Sequence, residues 1–146
     1  MQQSANFVDY HAIEHPSQPN YLDLFSGSNQ GVTDDSCPHP FSAPNLAAEL
    51  IQAKLTFGGY SEDLPTVGFT GCSSPNTRHP TYARKHNPWV NFTNVPTDVN
   101  MPFTNFPKDF SHLPTVSFVI PNLDHDMHDG TIKQADNFSP ISEVWK

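Results

Sequence analysis

The segment Pro114-Thr115-Val116-Ser117-Phe118-Val119-Ile120-Pro121 constrains this chain more than any other. It is a nearly continuous run of β-branched and aromatic residues, closed at each end by proline. Both faces of such a strand are apolar, so both must be covered. That is the situation of a strand buried inside a sheet with helices packed on it, not of a half-exposed hairpin. The fold class that follows is α/β. A second short strand is expected at Thr56-Phe57-Gly58-Gly59-Tyr60. Upstream of it, residues 44–55 read as a helix, with Leu46, Ala47, Leu50, Ile51 and Leu55 on one face and Ser42 as its cap. A shorter helix is expected over 19–25. It opens just after Ser17 and stops at Ser26-Gly27, following the preference for proline at a helix start and glycine past its end.

At 146 residues there is room for one domain and a modest core. Fifteen prolines interrupt apolar residues that are weighted toward phenylalanine, which favours short elements joined by irregular loops. The stretch 71–110 is dense in Pro, Asn and Thr without periodicity, and reads as a long excursion from the sheet. A formal charge of -8 with no block of Lys or Arg argues against a nucleic-acid partner. No run of apolar residues is long enough for a membrane helix, and the opening MQQSANFVDYH lacks the pattern of a signal peptide. Cys37 and Cys72 are too few for a four-cysteine zinc site. They suit either a disulfide in an oxidising compartment, the reading preferred here, or two buried thiols in a reducing one.

Two constellations could carry chemistry. In His15-Pro16-Ser17-Gln18-Pro19-Asn20-Tyr21, Ser17 falls at a helix start, where free N–H groups and the helix dipole favour a phosphate. On the local pattern alone, a plain N-cap is the preferred reading of that serine over a nucleophile. In Pro121-Asn122-Leu123-Asp124-His125-Asp126-Met127-His128-Asp129-Gly130, three carboxylates and two imidazoles follow the buried strand, where ligands of open α/β sheets collect. They could hold a divalent metal or form an acidic surface turn. Asp34-Asp35 and Arg84-Lys85-His86-Asn87 are weaker signals; the basic tetrad could contact a phosphate, although such tetrads are more often solvated surface. Asn91-Phe92-Thr93 and Asn137-Phe138-Ser139 match the glycosylation sequon.

Taken in order, the Ser17 segment, Phe25-Ser26-Gly27-Ser28, Gly31-Val32-Thr33-Asp34-Asp35-Ser36-Cys37-Pro38, Gly71-Cys72-Ser73-Ser74, Tyr82-Ala83-Arg84-Lys85-His86-Asn87-Pro88-Trp89 and Asp126-Met127-His128-Asp129-Gly130 resemble the bacterial phosphoesterase family of acid phosphatases and phosphatidylcholine-type phospholipases C. The resemblance runs over about 5–136 and leaves 137–146 as a divergent tail. It implies a partial alkaline-phosphatase-like doubly wound α/β sheet with long loops. It also implies a phosphate ester substrate, a small monoester or a phospholipid, and a secreted or periplasmic location. The roles it implies are Ser17 as nucleophile, His128 as a second catalytic group, and Ser17, Asp126 and His128 as ligands of a divalent metal such as zinc. Asn20, Asp35, Lys85 and His86 would contact substrate, and Cys37 would pair with Cys72.

The departures matter too. His125 stands where the family often has Asn, and Asp35 where related pyrophosphatases place a phosphate-contacting Asn. A bare carboxylate there would repel a phosphate. The family's opening Glu-Asn-His strand end and its later Asp-rich strand end have no counterpart here. The expectation is therefore a single incomplete phosphoesterase domain over 1–146, lacking outer strands at both ends, and inactive or weakly active alone. The alternative is a non-catalytic secreted module that binds a divalent cation or a partner through its acidic loops.

Overall fold

A computed structural model describes residues 8–138. In chain order it contains α1 (Ser17–Ser26), α2 (Leu46–Gln52), β1 (Phe57–Ser61), an antiparallel pair β2 (Ser73–Ser74) and β3 (Tyr82–Ala83), then β4 (Asn100–Pro102), β5 (Val116–Ile120) and α3 (Ile132–Asp136). The main sheet is parallel, in the order β4-β1-β5. The expected α/β class is thus the observed one, with long irregular loops around a three-stranded parallel sheet.

The places of two strands differ from expectation. β1 is central and buried at every residue, whereas β5 is half-buried along its whole length and pairs, among the described residues, with β1 alone. An apolar run shows that the faces of a strand are covered. It does not show that both edges are paired.

Side-chain alternation explains the layers. Phe57, Gly59 and Ser61 share one face of β1, and there Trp89 lies over Gly59 while Asn87 Nδ2 donates to Ser61 Oγ at 2.6 Å. On the other face Tyr60 meets Phe106 edge to face. α1 covers the first face through Phe25, whose ring is surrounded by Phe57, Trp89, Phe92 and Phe118 at centroid distances between 5.6 and 6.4 Å. Leu22, Val32, Ala47 and Val95 complete this core. The phenylalanine-rich composition therefore builds one interlocked aromatic cluster.

Both helices depart from their expected bounds. α1 begins at Ser17, two residues early. Pro16 holds the cap position, so the simple N-cap reading of Ser17 is not what the chain adopts. α2 is shorter than 44–55. Its cap is Asn45, whose side chain accepts from Ala48 N–H at 3.0 Å, in place of Ser42. Leu46, Ala47 and Leu50 of the expected face pack on the core, whereas Ile51 is exposed and Leu55, also exposed, lies past the end of the helix at Gln52. The excursion over 71–110 is less irregular than its composition suggests. It holds the β2–β3 pair, a series of 3-10 turns that includes Arg84–His86 and Pro88–Asn91, and β4 returning to the sheet.

Cys37 and Cys72 are bonded, with Cα atoms 5.9 Å apart, and tie the loop after α1 to the strand pair. No helix among the described residues is long and apolar enough to cross a membrane.

Candidate active site

The carboxyl ends of β1 and β5 lie side by side, since Ser61 pairs with Ile120, and the segments that follow both strands bond to each other. Glu62 Oε2 accepts from Asn122 N–H at 3.0 Å, Asp63 Oδ2 accepts from Asn122 Nδ2 at 2.9 Å, and His125 Nδ1 lies 2.8 Å from Glu62. Asn122 folds the loop further by accepting the N–H groups of Asp124 and His125 on its side chain. The loop then closes on itself at Gly130, where a Cβ would stand 1.9 Å from the carbonyl oxygen of Asp124. Only glycine allows that approach.

This loop carries Asp126 and His128 toward the 3-10 turn Arg84–His86. His86 Nδ1 stands 2.9 Å from Asp126 Oδ2. His86 is almost fully buried. Its ring stacks on Tyr21 of α1 at 4.8 Å and meets the His128 ring edge to face at 5.3 Å. Its Nε2 is buried and has no hydrogen-bond partner among the described residues. Lys85 Nζ reaches His128 Nε2 at 3.3 Å and Asp35 Oδ2 at 2.8 Å. The other Asp35 oxygen accepts the Gln18 N–H at 2.9 Å, so a carboxylate from the following loop caps the first turn of α1. Asp35, Lys85, His86, Asp126 and His128 therefore form one connected cluster at the start of α1.

Ser17 is the first residue of that helix, and its hydroxyl makes no hydrogen bond among the described residues. It opens onto a cleft of about 630 Å³ together with Tyr21 and Asn20, whereas Asp35, Lys85 and His128 line a neighbouring hollow of about 310 Å³. Asn20, expected at the substrate, is spent on structure. Its Nδ2 donates to the carbonyls of Glu14 and Pro16 and its Oδ1 accepts from Glu14 N–H, which fixes the approach to Ser17.

The electrostatics are set by this pairing. Burial works against the charged form of Asp35, but the Lys85 ammonium, the Gln18 N–H and His86 outweigh it and hold the carboxyl below its usual range. Asp126 behaves alike: burial opposes its charge, and His86, the His128 N–H and nearby imidazole charge overcome that. Burial, with the Asp126 charge second, pushes the Tyr21 hydroxyl up to about 12, so it stays protonated at neutral pH. Carboxyls that are more acidic folded than unfolded contribute stability above their unfolded pKa of about 4 and lose it as the pH falls through the lower folded value. The urea midpoint should therefore drop as the pH is lowered from about 5 to 3, and drop less in Asp35→Asn. A midpoint equally acid-sensitive in both proteins would remove Asp35 from the explanation.

The expected metal ligands do not assemble into a centre. Among the described residues no three His, Cys, Asp or Glu side chains are placed to hold an ion. Asp126 and His128 supply two donors, both already engaged, and the Lys85 ammonium stands beside His128. A catalytic zinc site takes about three protein ligands. The donors present do not fit one by themselves.

Gln18, Tyr21, Glu62 and Asp63 escaped the sequence reading. Glu62-Asp63 carried a usable signal, since they directly follow the central strand. Arg84, grouped with Lys85 and His86 in sequence, turns away from the cluster, and Asn91 of the first sequon is buried against it. Asn137 belongs to a sequon whose Ser139 lies outside the described residues.

The pattern of the Phosphoesterase family matches residues 2–142. A phosphatidylinositol-3-phosphatase of Mycobacterium tuberculosis is 57% identical over 128 residues, which is 86% of this chain and 41% of that protein. A phosphate-repressible acid phosphatase of Penicillium chrysogenum is 38% identical over 90% of this chain and 34% of its own length. An acid phosphatase of Aspergillus fumigatus is 33% identical over 86% of this chain and 30% of its own. The chain thus spans well under half the length of these relatives. No solved structure matches it. With a family pattern running through nearly all of its residues, the chain belongs to the Phosphoesterase family.

Proposed function

We propose that the chain carries the nucleophile and the phosphate-binding part of a phosphoric ester hydrolase of the acid phosphatase type. The observation that supports this most is the joining of Lys85, His128 and the first turn of α1 around Asp35, next to an unbonded Ser17 hydroxyl, beyond the carboxyl ends of parallel strands. Asp35 occupies both a helix-terminal N–H and the Lys85 ammonium, the two donors an oxyanion would seek. A phosphate entering the site competes with that carboxylate.

In the proposed reaction Ser17 Oγ attacks phosphorus, the bond from phosphorus to the ester oxygen breaks, and the alcohol leaves with a proton. Water then attacks the phosphoserine, the bond from phosphorus to Oγ breaks, inorganic phosphate departs and the hydroxyl regains its proton. Lys85 and His128 neutralise the non-bridging oxygens. Tyr21 and Asp126 position His86, whose ring packs against that of His128. A metal ion, where the complete protein binds one, would polarise the phosphate, and Asp126 and His128 are the described residues able to contribute to it. By itself this chain is expected to turn over little or no ester, because that shell is incomplete. The disulfide suits a secreted or periplasmic setting.

The test is a chimera in which this chain replaces the matching segment of the Mycobacterium tuberculosis phosphatase. Lys85→Gln in that protein should raise KM for an aryl phosphate roughly tenfold or more through loss of a charge-assisted contact. An unchanged KM would take Lys85 out of the site.

A further inference from the structure

A separate cavity of about 330 Å³ lies on the far side of the Arg84–His86 turn, walled by Trp89, Phe92, Val95 and Pro96 and reached by Arg84 and Asn91. Arg84 is 7% exposed, and no carboxylate pairs with it among the described residues. Its guanidinium is held only by neutral acceptors: Nε donates to Asn91 Oδ1 at 3.1 Å, Nη1 to the Thr70 carbonyl at 2.7 Å and Nη2 to the Val90 carbonyl at 3.0 Å. Three of its five N–H donors are thereby used. Asn91, 2% exposed, has a buried Nδ2 with no partner. Buried charges are ordinarily paired and buried donors ordinarily satisfied. Here a cation with no carboxylate partner among the described residues lines a void, and an unsatisfied amide lies buried beside it.

We propose that this cavity is a binding site for a small organic monocarboxylate with an apolar body, its carboxylate seated on Arg84. One fixed positive charge calls for a single negative one, and two spare guanidinium N–H groups suit the two oxygens of a carboxylate. The aromatic and aliphatic walls favour an apolar body over a hydrated inorganic ion. The volume is at the lower end of small-molecule sites, which span roughly 300–1,000 Å³. The carbonyls of Thr70 and Val90 and the Asn91 amide already hold the guanidinium in place, so the seat is rigid before any ligand arrives.

The test titrates benzoate and butyrate into the purified 146-residue chain, read by calorimetry and by saturation-transfer NMR, with inorganic phosphate as competitor. Saturable binding of benzoate that phosphate does not displace is expected. Asn91→Asp keeps the acceptor for Arg84 Nε, removes the orphan donor and supplies the missing negative charge. It should weaken benzoate at least about tenfold while leaving the unfolding temperature equal or higher. Val95→Phe, which narrows the cavity without touching Arg84, should weaken the acid as well. Absence of saturable binding to the folded chain, displacement by phosphate, or binding unchanged in both variants would each overturn the proposal.

Discussion

Turnover of an aryl phosphate by the chimera falls by about three orders of magnitude or more when Ser17 becomes alanine, since the proposed covalent intermediate forms on its hydroxyl. The reasoning is positional. Ser17 starts α1 behind Pro16, and Asn20 holds the preceding backbone through three hydrogen bonds. Its hydroxyl therefore stands at the positive end of a helix with no competing partner. A purely structural serine would report differently. Because its hydroxyl bonds to nothing among the described residues, Ser17→Ala should leave thermal stability nearly unchanged. Loss of activity together with a large drop in melting temperature would point to a packing role instead.

The central strand should be the most sensitive structural position. Gly59 lies under Trp89, and a methyl group there would sit 2.3 Å from Cε2 and 2.4 Å from Cζ2 of the indole. The ring cannot easily retreat. It is 1% exposed, packed edge to face against Phe25, Phe57 and Phe118, and its Nε1 donates to Asn100 Oδ1 at 2.8 Å, fixing it to β4. Overpacking a filled core costs about 1–3 kcal/mol, and more where both the backbone and a locked ring must shift. Gly59→Ala should therefore lose roughly 3 kcal/mol or more in urea unfolding. The same change at Gly27, where nothing lies within 4 Å, meets no such clash, although its φ of 68° still carries a backbone penalty. Equal losses at the two sites would show that the indole yields.

Local signals made the elements readable and long-range pairing made the site hard to read. The apolar run ending at Ile120 identified a strand, and the glycine at 27 identified a helix end, because both depend on neighbours in sequence. The edge position of β5 depends on which strands are present beside it, which no local pattern encodes. Asn45 displaced Ser42 as a cap through one backbone hydrogen bond that either residue type could have offered. The Asp-His loop read as a metal cluster because its donors are dense in sequence. Folding instead shares them out: Asp126 goes to His86, His128 to Lys85 and His125 to Glu62. Asp35 looked unsuited to a phosphate site until Lys85, fifty residues away, was found to neutralise it. Ordered resemblance to a family brought Ser17, Lys85, His86, Asp126 and His128 forward together when no single motif could.

The identity of the nucleophile can be measured directly. The chimera, mixed with an aryl phosphate and quenched in acid within its first turnovers, should yield a peptide containing Ser17 that carries one phosphoryl group, and Ser17→Ala should yield none. A phosphoryl group on His86 or His128, or full turnover with no labelled peptide, would contradict a serine at the start of α1 as the group that takes the phosphate.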